Sequence, residues 1–364
     1  MNKRIKGFIF AAAILASLAG CAKGTDSQSD TTVETAVTTQ DITTINTETV
    51  TESANAIVND ATELPPYKAS PGSPYIPIPD LTGYDVTDPF NYQAGKTEIT
   101  DVSNTQKLVS FFRDGMKIFG VLYLPEGDGP FPTVVLSSGQ TAPYSYYSDE
   151  AKTFVKNGYA AIIYDYIGAV KNSNSDGELT DSSVLTEVQD LNAILDSLSE
   201  LPKVDTDNVF LWGQSIGGLV STITAGDRSS DIKGLILLEP DFTYPDSVRY
   251  FNPDLSKVKD VIDEPEKYNI IVGKQFIIDM CSVDALKEIE EVDKDALAIF
   301  GNATPDTSSH PSLTSFYPEA YETAVKTFKS CESLTVDGAD HLFQGQYGEE
   351  ATEKAVEFIK AHIS

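Results

Sequence analysis

For residues 76–364 the sequence predicts an α/β fold with a mostly parallel central sheet, helices on both faces and a small inserted cap. Three observations carry that expectation. From about Lys107 onward, short apolar runs alternate with amphipathic stretches, the order expected of strands that cross over through helices into a parallel sheet. The first two runs, residues 108–112 and 117–124, flank Asp114-Gly115, a favoured two-residue turn, so they pair antiparallel and the later runs supply the parallel set. Finally, Gly213-Gln214-Ser215-Ile216-Gly217 lies between an apolar run (208–212) and a helix-like stretch (218–225), where a strand passes directly into a helix.

The other elements follow in order. Strands are expected at 133–136, 160–164, 208–212, 232–238, 296–300 and 333–336, and helices at 149–156, 183–198, 216–225, 318–328 and 350–362. In the second helix Val184, Leu185, Val188, Leu191, Ile194, Leu195 and Leu198 recur at helical spacing, which marks its buried stripe. Between Glu239 and Asp293 the rhythm breaks into Pro, Tyr and charge and then a helical run, although an alternating fold needs only a short loop there. Residues 242–293 are therefore expected to form the cap.

The N-terminal end differs. Residues 1–20 begin with Lys3, Arg4 and Lys6 and continue into an apolar stretch too short to span a bilayer, the pattern of a secretory signal. The ending Leu18-Ala19-Gly20-Cys21 resembles the lipobox of bacterial lipoproteins, which implies cleavage before a lipidated Cys21 and attachment to the outer face of the cell membrane. Residues 21–75 are rich in Thr, Ser, Asp and Glu and have no aromatic residue before Tyr67, so they read as a solvated, disordered acidic tether. The formal net charge of −29 makes nucleic acid an improbable partner. Cys281 and Cys331 are left, and the sequence does not decide whether they pair.

A G-x-S-x-G turn between strand and helix lifts a Ser hydroxyl onto a strained bend, which makes Ser215 the candidate nucleophile. A Ser needs a neighbouring base, and the chain has three His. His362 lies near the C-terminus in the last expected helix, and His310 in a Ser-rich, Pro-flanked loop. His341 follows the last expected strand, where a loop at the carboxyl edge of a sheet delivers it to the nucleophile. The oxyanion of an acyl-transfer intermediate needs two backbone N–H donors, and one comes from the residue after the nucleophile, Ile216.

Together these residues resemble the α/β-hydrolase superfamily, and more closely its cinnamoyl (feruloyl) esterase branch. The resemblance runs from about Val109 to Ile363. It rests on the Asp114-Gly115 hairpin with Gly120-Val121-Leu122-Tyr123-Leu124-Pro125, on Phe131-Pro132-Thr133-Val134-Val135-Leu136 leading to Gly139, and on Ser175-Asp176-Gly177. It continues through Val184-Leu185-Thr186-Glu187 with Asp190, the elbow at Ser215, Val272-Gly273-Lys274-Gln275-Phe276 in the cap, and Gly338-Ala339-Asp340-His341. The resemblance implies an ester hydrolase acting on hydroxycinnamoyl or other short acyl esters, with no cofactor, and makes Gln140 the second oxyanion donor.

The chain departs from the family at the triad acid. Three residues after Gly301, where the family has Asp, stands Thr304; Asp306, two positions on, is the candidate, with Asp241 as the alternative. It also runs Ile167-Gly168-Ala169-Val170-Lys171-Asn172 where the branch has a compact Gly-His-Gly turn. Tyr144, Tyr146 and Tyr147 are open to two readings, an aromatic-accepting pocket or packing. No metal-ligand spacing and no phosphate-cradling Gly loop is visible. The expectation is a lipid-anchored serine esterase, with a peptidase or thioesterase on the same scaffold, or a non-catalytic binding lipoprotein, as its rivals.

Overall fold

The central strands are uninterrupted apolar runs because helices cover both of their faces. The structure, a computed structural model, describes residues 76–263 and 271–363; the expected signal, Cys21 and the tether fall outside them. In chain order the sheet opens with β1 (Glu98–Asp101), β2 (Gln106–Arg113), β3 (Met116–Tyr123) and β4 (Phe131–Ser137). There follow α1 (Ser148–Lys156), β5 (Ala160–Tyr164), α2 (Val184–Ser197), β6 (Val204–Gln214), α3 (Ile216–Asp227) and β7 (Gly234–Leu238). The next stretch holds α4 (Tyr244–Phe251), β8 (Val261–Asp263), β9 (Ile271–Gly273), α5 (Lys274–Ser282) and α6 (Ala285–Glu291). Last come β10 (Ala296–Phe300), α7 (Leu313–Phe316), α8 (Pro318–Thr327), β11 (Cys331–Thr335) and α9 (Gln346–His362).

Nine strands form one sheet in the order β1-β2-β3-β5-β4-β6-β7-β10-β11. The edge from β1 to β3 is antiparallel, β3 meets β5 antiparallel, and every pair from β5 to β11 is parallel. Asp114 and Gly115 both take positive φ, 54° and 80°, the conformation that a two-residue hairpin demands. Alternation along each strand divides the core in two. Val135, Ile162 and Leu211 face Leu191 of α2 and Leu219 of α3, while Val134, Ile163 and Trp212 face Phe154 of α1 and Ile359 of α9. Helix α2 starts on a capping box, with Ser183 Oγ accepting from Thr186 N and Thr186 Oγ1 accepting from Ser183 N. A buried pair, Arg113 Nε to Asp190 Oδ1 at 2.6 Å, ties this helix to β2.

Residues 242–293 sit between β7 and β10. Their last helix, α6, packs on α3 and serves as the ordinary crossover between the two strands, so the added mass is α4, the β8–β9 hairpin and α5. This added part reaches the sheet's carboxyl edge, where Tyr244 Oη donates to Gln140 Oε1. Residues 76–97 form a strap over the helices: Ile76 N donates to Asp246 of α4, Thr87 N to Asp279 of α5, and Gln189 and Asn192 of α2 donate to the carbonyls of Asp88 and Pro89. Strand β1 and the β8–β9 hairpin are not among the expected strands. Strand β1 is exposed at every position and lacks the apolar signal of a buried strand, while β8 and β9 have three residues each, too few to show a period.

Candidate active site

Ser215 stands between β6 and α3 at φ 56° and ψ −123°, a conformation that costs a non-glycine residue energy and persists only where neighbours enforce it. The glycines of the motif are required by space. A Cβ on Gly213 would lie 2.2 Å from Gly217 O, and one on Gly217 2.4 Å from Ser137 O, so β4, β6 and α3 could not close around the bend with larger residues. The elbow is also bonded to β7, with Ser215 N donating to Leu238 O and Asp241 N donating to Ser215 O.

His341 arrives from the loop after β11. Gln214 Nε2 donates to its carbonyl, its own N–H donates to His310 O, and Asn302 N and Ala303 N both donate to Ala339 O. These bonds bring His341 Nε2 to 3.1 Å from Ser215 Oγ, with both residues buried. A hydroxyl and an imidazole at that distance are placed for proton transfer.

The structure does not bring Asp306 to His341. The turn around it closes on itself, with Thr307 N donating to Thr304 O and Thr304 N donating to Thr307 Oγ1, which leaves Asp306 exposed. The carboxylate that faces the ring is Glu239, whose Oε2 lies 3.6 Å from His341 Nδ1. Glu239 is the residue after β7, fully buried and at φ 45°, and three donors fix it: Gly301 N and Ser312 Oγ at Oε1, and Leu313 N at Oε2. His341 Nδ1 is buried and has no hydrogen-bond partner among the described residues, so Glu239 is its nearest acid, at a distance longer than a hydrogen bond. The Ser, His and acid of a hydrolase often tighten only when substrate binds.

Asp241, two residues on, lies within electrostatic reach of the same imidazole. Burial pushes its carboxyl up to about 6, with the His341 ring opposing the rise and Glu239 adding to it. Its own hydrogen bond comes from Thr243 Oγ1.

Beside the elbow, Gly139 approaches closely enough that a Cβ on it would lie 3.4 Å from Ser215 Cβ. Gly139 N donates to Tyr147 Oη at 3.0 Å. The neighbouring Gln140 N–H has no hydrogen-bond acceptor among the described residues, and neither does the N–H of Ile216 at the first position of α3. Both flank Ser215. Tyr147 is buried edge-on against Trp212, so it packs and holds the loop after β4; Tyr146 is exposed, and Gln344 Nε2 donates to its hydroxyl. Cys281 and Cys331 are free thiols, and no cluster of metal-ligating side chains occurs among the described residues.

Comparison with known proteins fits this geometry. Residues 128–307 match the family model described as serine aminopeptidase, S33. Esterase FrsA of Escherichia coli O139:H28 is 29% identical over 210 residues, covering 56% of this chain and 47% of that protein. Esterase FrsA of Escherichia fergusonii is 33% identical over 127 residues, 35% of this chain and 29% of that one, so the chain spans about half or less of these relatives. Among solved structures, Est1E from Butyrivibrio proteoclasticus with ferulic acid bound superposes with a TM-score of 0.58 at 21% identity, over 68% of this chain and 96% of that one. The α/β hydrolase GrgF from Penicillium sp. sh18 gives 0.55 at 17% identity, over 74% and 99%. The strand order, the elbow between β6 and α3 and these likenesses lead to one conclusion: this chain has the α/β-hydrolase fold, and its residues 128–307 carry the match to the serine aminopeptidase, S33, family.

Proposed function

We propose that this protein is a serine hydrolase that cleaves carboxylic esters through an acyl-enzyme on Ser215. The observation that carries the reading is the 3.1 Å contact between Ser215 Oγ and His341 Nε2 on a bend that holds Ser215 at positive φ. In the reaction, His341 Nε2 takes the Ser215 proton as Oγ attacks the ester carbonyl. The N–H groups of Ile216 and Gln140 stabilise the oxyanion, and the imidazolium then returns the proton to the departing alcohol. Water, activated by the same imidazole, releases the acid. Glu239 replaces Asp306 as the group that orients the ring and offsets its charge, because it is the acid nearest Nδ1.

Relatives named as esterases support ester cleavage. The family description, serine aminopeptidase, favours amide cleavage as the second reading. We also retain hydroxycinnamoyl and short acyl esters as the substrate class, with attachment to the outer face of the membrane through lipidated Cys21.

A fluorophosphonate probe should label the folded protein at Ser215 and leave Ser215→Ala unlabelled. A panel of p-nitrophenyl esters, acyl thioesters and peptidyl amides should show esters cleaved fastest. Absence of an adduct in folded protein would make this a binding protein, and faster amide cleavage would make it a peptidase.

A further inference from the structure

Behind the oxyanion loop lies a narrow cleft lined by Gln140, Thr141, Ser182, Glu187, Val272 and Phe276, among others, with room for little more than a water-sized group. The cap helix α5 contributes Phe276, β9 contributes Val272 and α2 contributes Glu187, so three separate elements meet at this one place.

Its polar atoms are unusual. Gln140 Nε2, Thr141 Oγ1 and Glu187 Oε2 are all buried and have no hydrogen-bond partner among the described residues. Glu187 is 3% exposed and Gln140 7%. Their other polar atoms are engaged: Ser182 Oγ donates to Glu187 Oε1 at 2.9 Å, and Tyr244 Oη donates to Gln140 Oε1 at 3.2 Å. Buried polar groups are ordinarily satisfied, so three free ones around a single cleft call for an occupant that satisfies them. The Gln140 amide nitrogen donates only, the Thr141 hydroxyl does either, and the Glu187 carboxyl oxygen accepts or, when protonated, donates.

From this arrangement we propose that the cleft is a specificity pocket for an aliphatic hydroxyl carried on the substrate, held by Gln140 Nε2, Thr141 Oγ1 and Glu187 Oε2. The proposal rests on the ester-hydrolase reading. A hydroxyl both donates and accepts, which matches a site that holds both kinds of group. An ammonium has no lone pair for the Gln140 N–H, and a carboxylate would be buried where no Lys or Arg lines the wall. Burial raises the Glu187 carboxyl to about 8, with Asp190 adding to the shift and Ser182 opposing it, so it is uncharged at neutral pH and provides no counter-ion for a cation. The small size excludes a ring. Because Gln140 also lends its backbone N–H to the oxyanion, an occupied pocket would bear on the loop that binds the transition state.

The test compares kcat/KM for matched pairs of esters that differ by one hydroxyl. One arm sets p-nitrophenyl butanoate and hexanoate against their β- and ω-hydroxylated counterparts, and the other sets ethyl against hydroxyethyl butanoate. The parent protein should favour the hydroxylated member by at least about tenfold on one arm, since a site built to bond a hydroxyl discriminates against its absence. Both rates come from one preparation, so their ratio does not depend on the folded fraction. Glu187→Leu and Thr141→Val should each bring the ratio toward one, while Glu187→Gln, which keeps a donor and an acceptor in place, should preserve most of it. A parent ratio near one on both arms overturns the proposal and assigns the three groups to a structural water. Survival of the ratio in both Glu187→Leu and Thr141→Val overturns it as well; if one of the two does not fold, the other decides. Cleavage without preference defeats the pocket alone, whereas a parent that cleaves no ester at all defeats the hydrolase reading and the pocket with it.

Discussion

Glu239 holds its position through three donors drawn from the loop after β10 and the first residue of α7, and those bonds set the carboxylate beside the imidazole rather than in solvent. Replacing it with Gln keeps the shape and removes the charge, so Glu239→Gln is expected to lower kcat by on the order of 10² to 10⁴. Asp306→Asn, an exposed change, should stay within about twofold. Steady-state rates on one ester, with thermal unfolding to show that both variants are folded, decide between the two acids. A large loss in Asp306→Asn with little in Glu239→Gln would reverse the assignment. The difficulty of finding this acid in the sequence has a physical origin. Strands β7 and β10 are parallel neighbours with Leu238 beside Ile299, and Glu239 N donates to Ile299 O, so a carboxylate at the end of either strand reaches the same space. The sequence shows two suitable strand ends and does not say which one bears the acid. Glu239 reads as the polar end of an apolar run before Pro240, and its only signal is that charge at the carboxyl edge of a buried strand. Ser215 and His341 are easier to read, because the glycines that a tight bend requires leave a motif and the histidines are few.

At the scale of elements, the elbow is the junction where β4, β6 and α3 come closest. Gly217→Ala would push a methyl group against the Ser137 and Ser138 carbonyls, which cannot withdraw without parting β4 from β6. Overpacking of this kind costs about 1–3 kcal/mol or more, and urea denaturation should show the loss as a lower midpoint. An unchanged midpoint would mean that the loop yields and that the bend is less constrained than its contacts indicate. Elements buried on both sides were legible because burial writes itself into the sequence as apolar runs: β5, β7 and β10 are buried along their whole length. Strand β1, Glu-Ile-Thr-Asp, is exposed at all four positions and leaves no such trace. Helix α6 looked like part of the cap because its sequence directly continues that of α5, and only its packing on α3 separates the two.

Across the whole molecule, several buried or partly buried acids hold their protons more tightly folded than unfolded. Burial lifts Glu187 from 4.5 to about 8, Glu288 from 4.5 to about 7 and Asp241 from 3.8 to about 6. For an acid whose folded value is raised, the unfolded chain gives up its proton first, so stability is greatest below the unfolded values and declines as pH climbs through the folded ones. The Tm should therefore fall between about pH 5 and pH 8, and Glu187→Gln should flatten the upper part of that decline. A Tm that rises over this range would contradict the burial argument. For attachment, Cys21→Ser expressed in a bacterial host should move the protein from the membrane fraction to the soluble one, since acyl chains hold a protein by their buried methylenes. Retention in the membrane would exclude that anchor. Under the proposed anchor, the strap of residues 76–97 takes on a mechanical side. Its bonds run to Asp246 and Asp279 of the helices that roof the reaction centre, and to α2 beneath them. Tension entering at Ile76 would thus be borne first by the roof and would reach the nine-stranded sheet only at its far edge, where Gly95 N donates to Phe112 O and Asp114 N donates to Gln93 O, several strands away from Ser215.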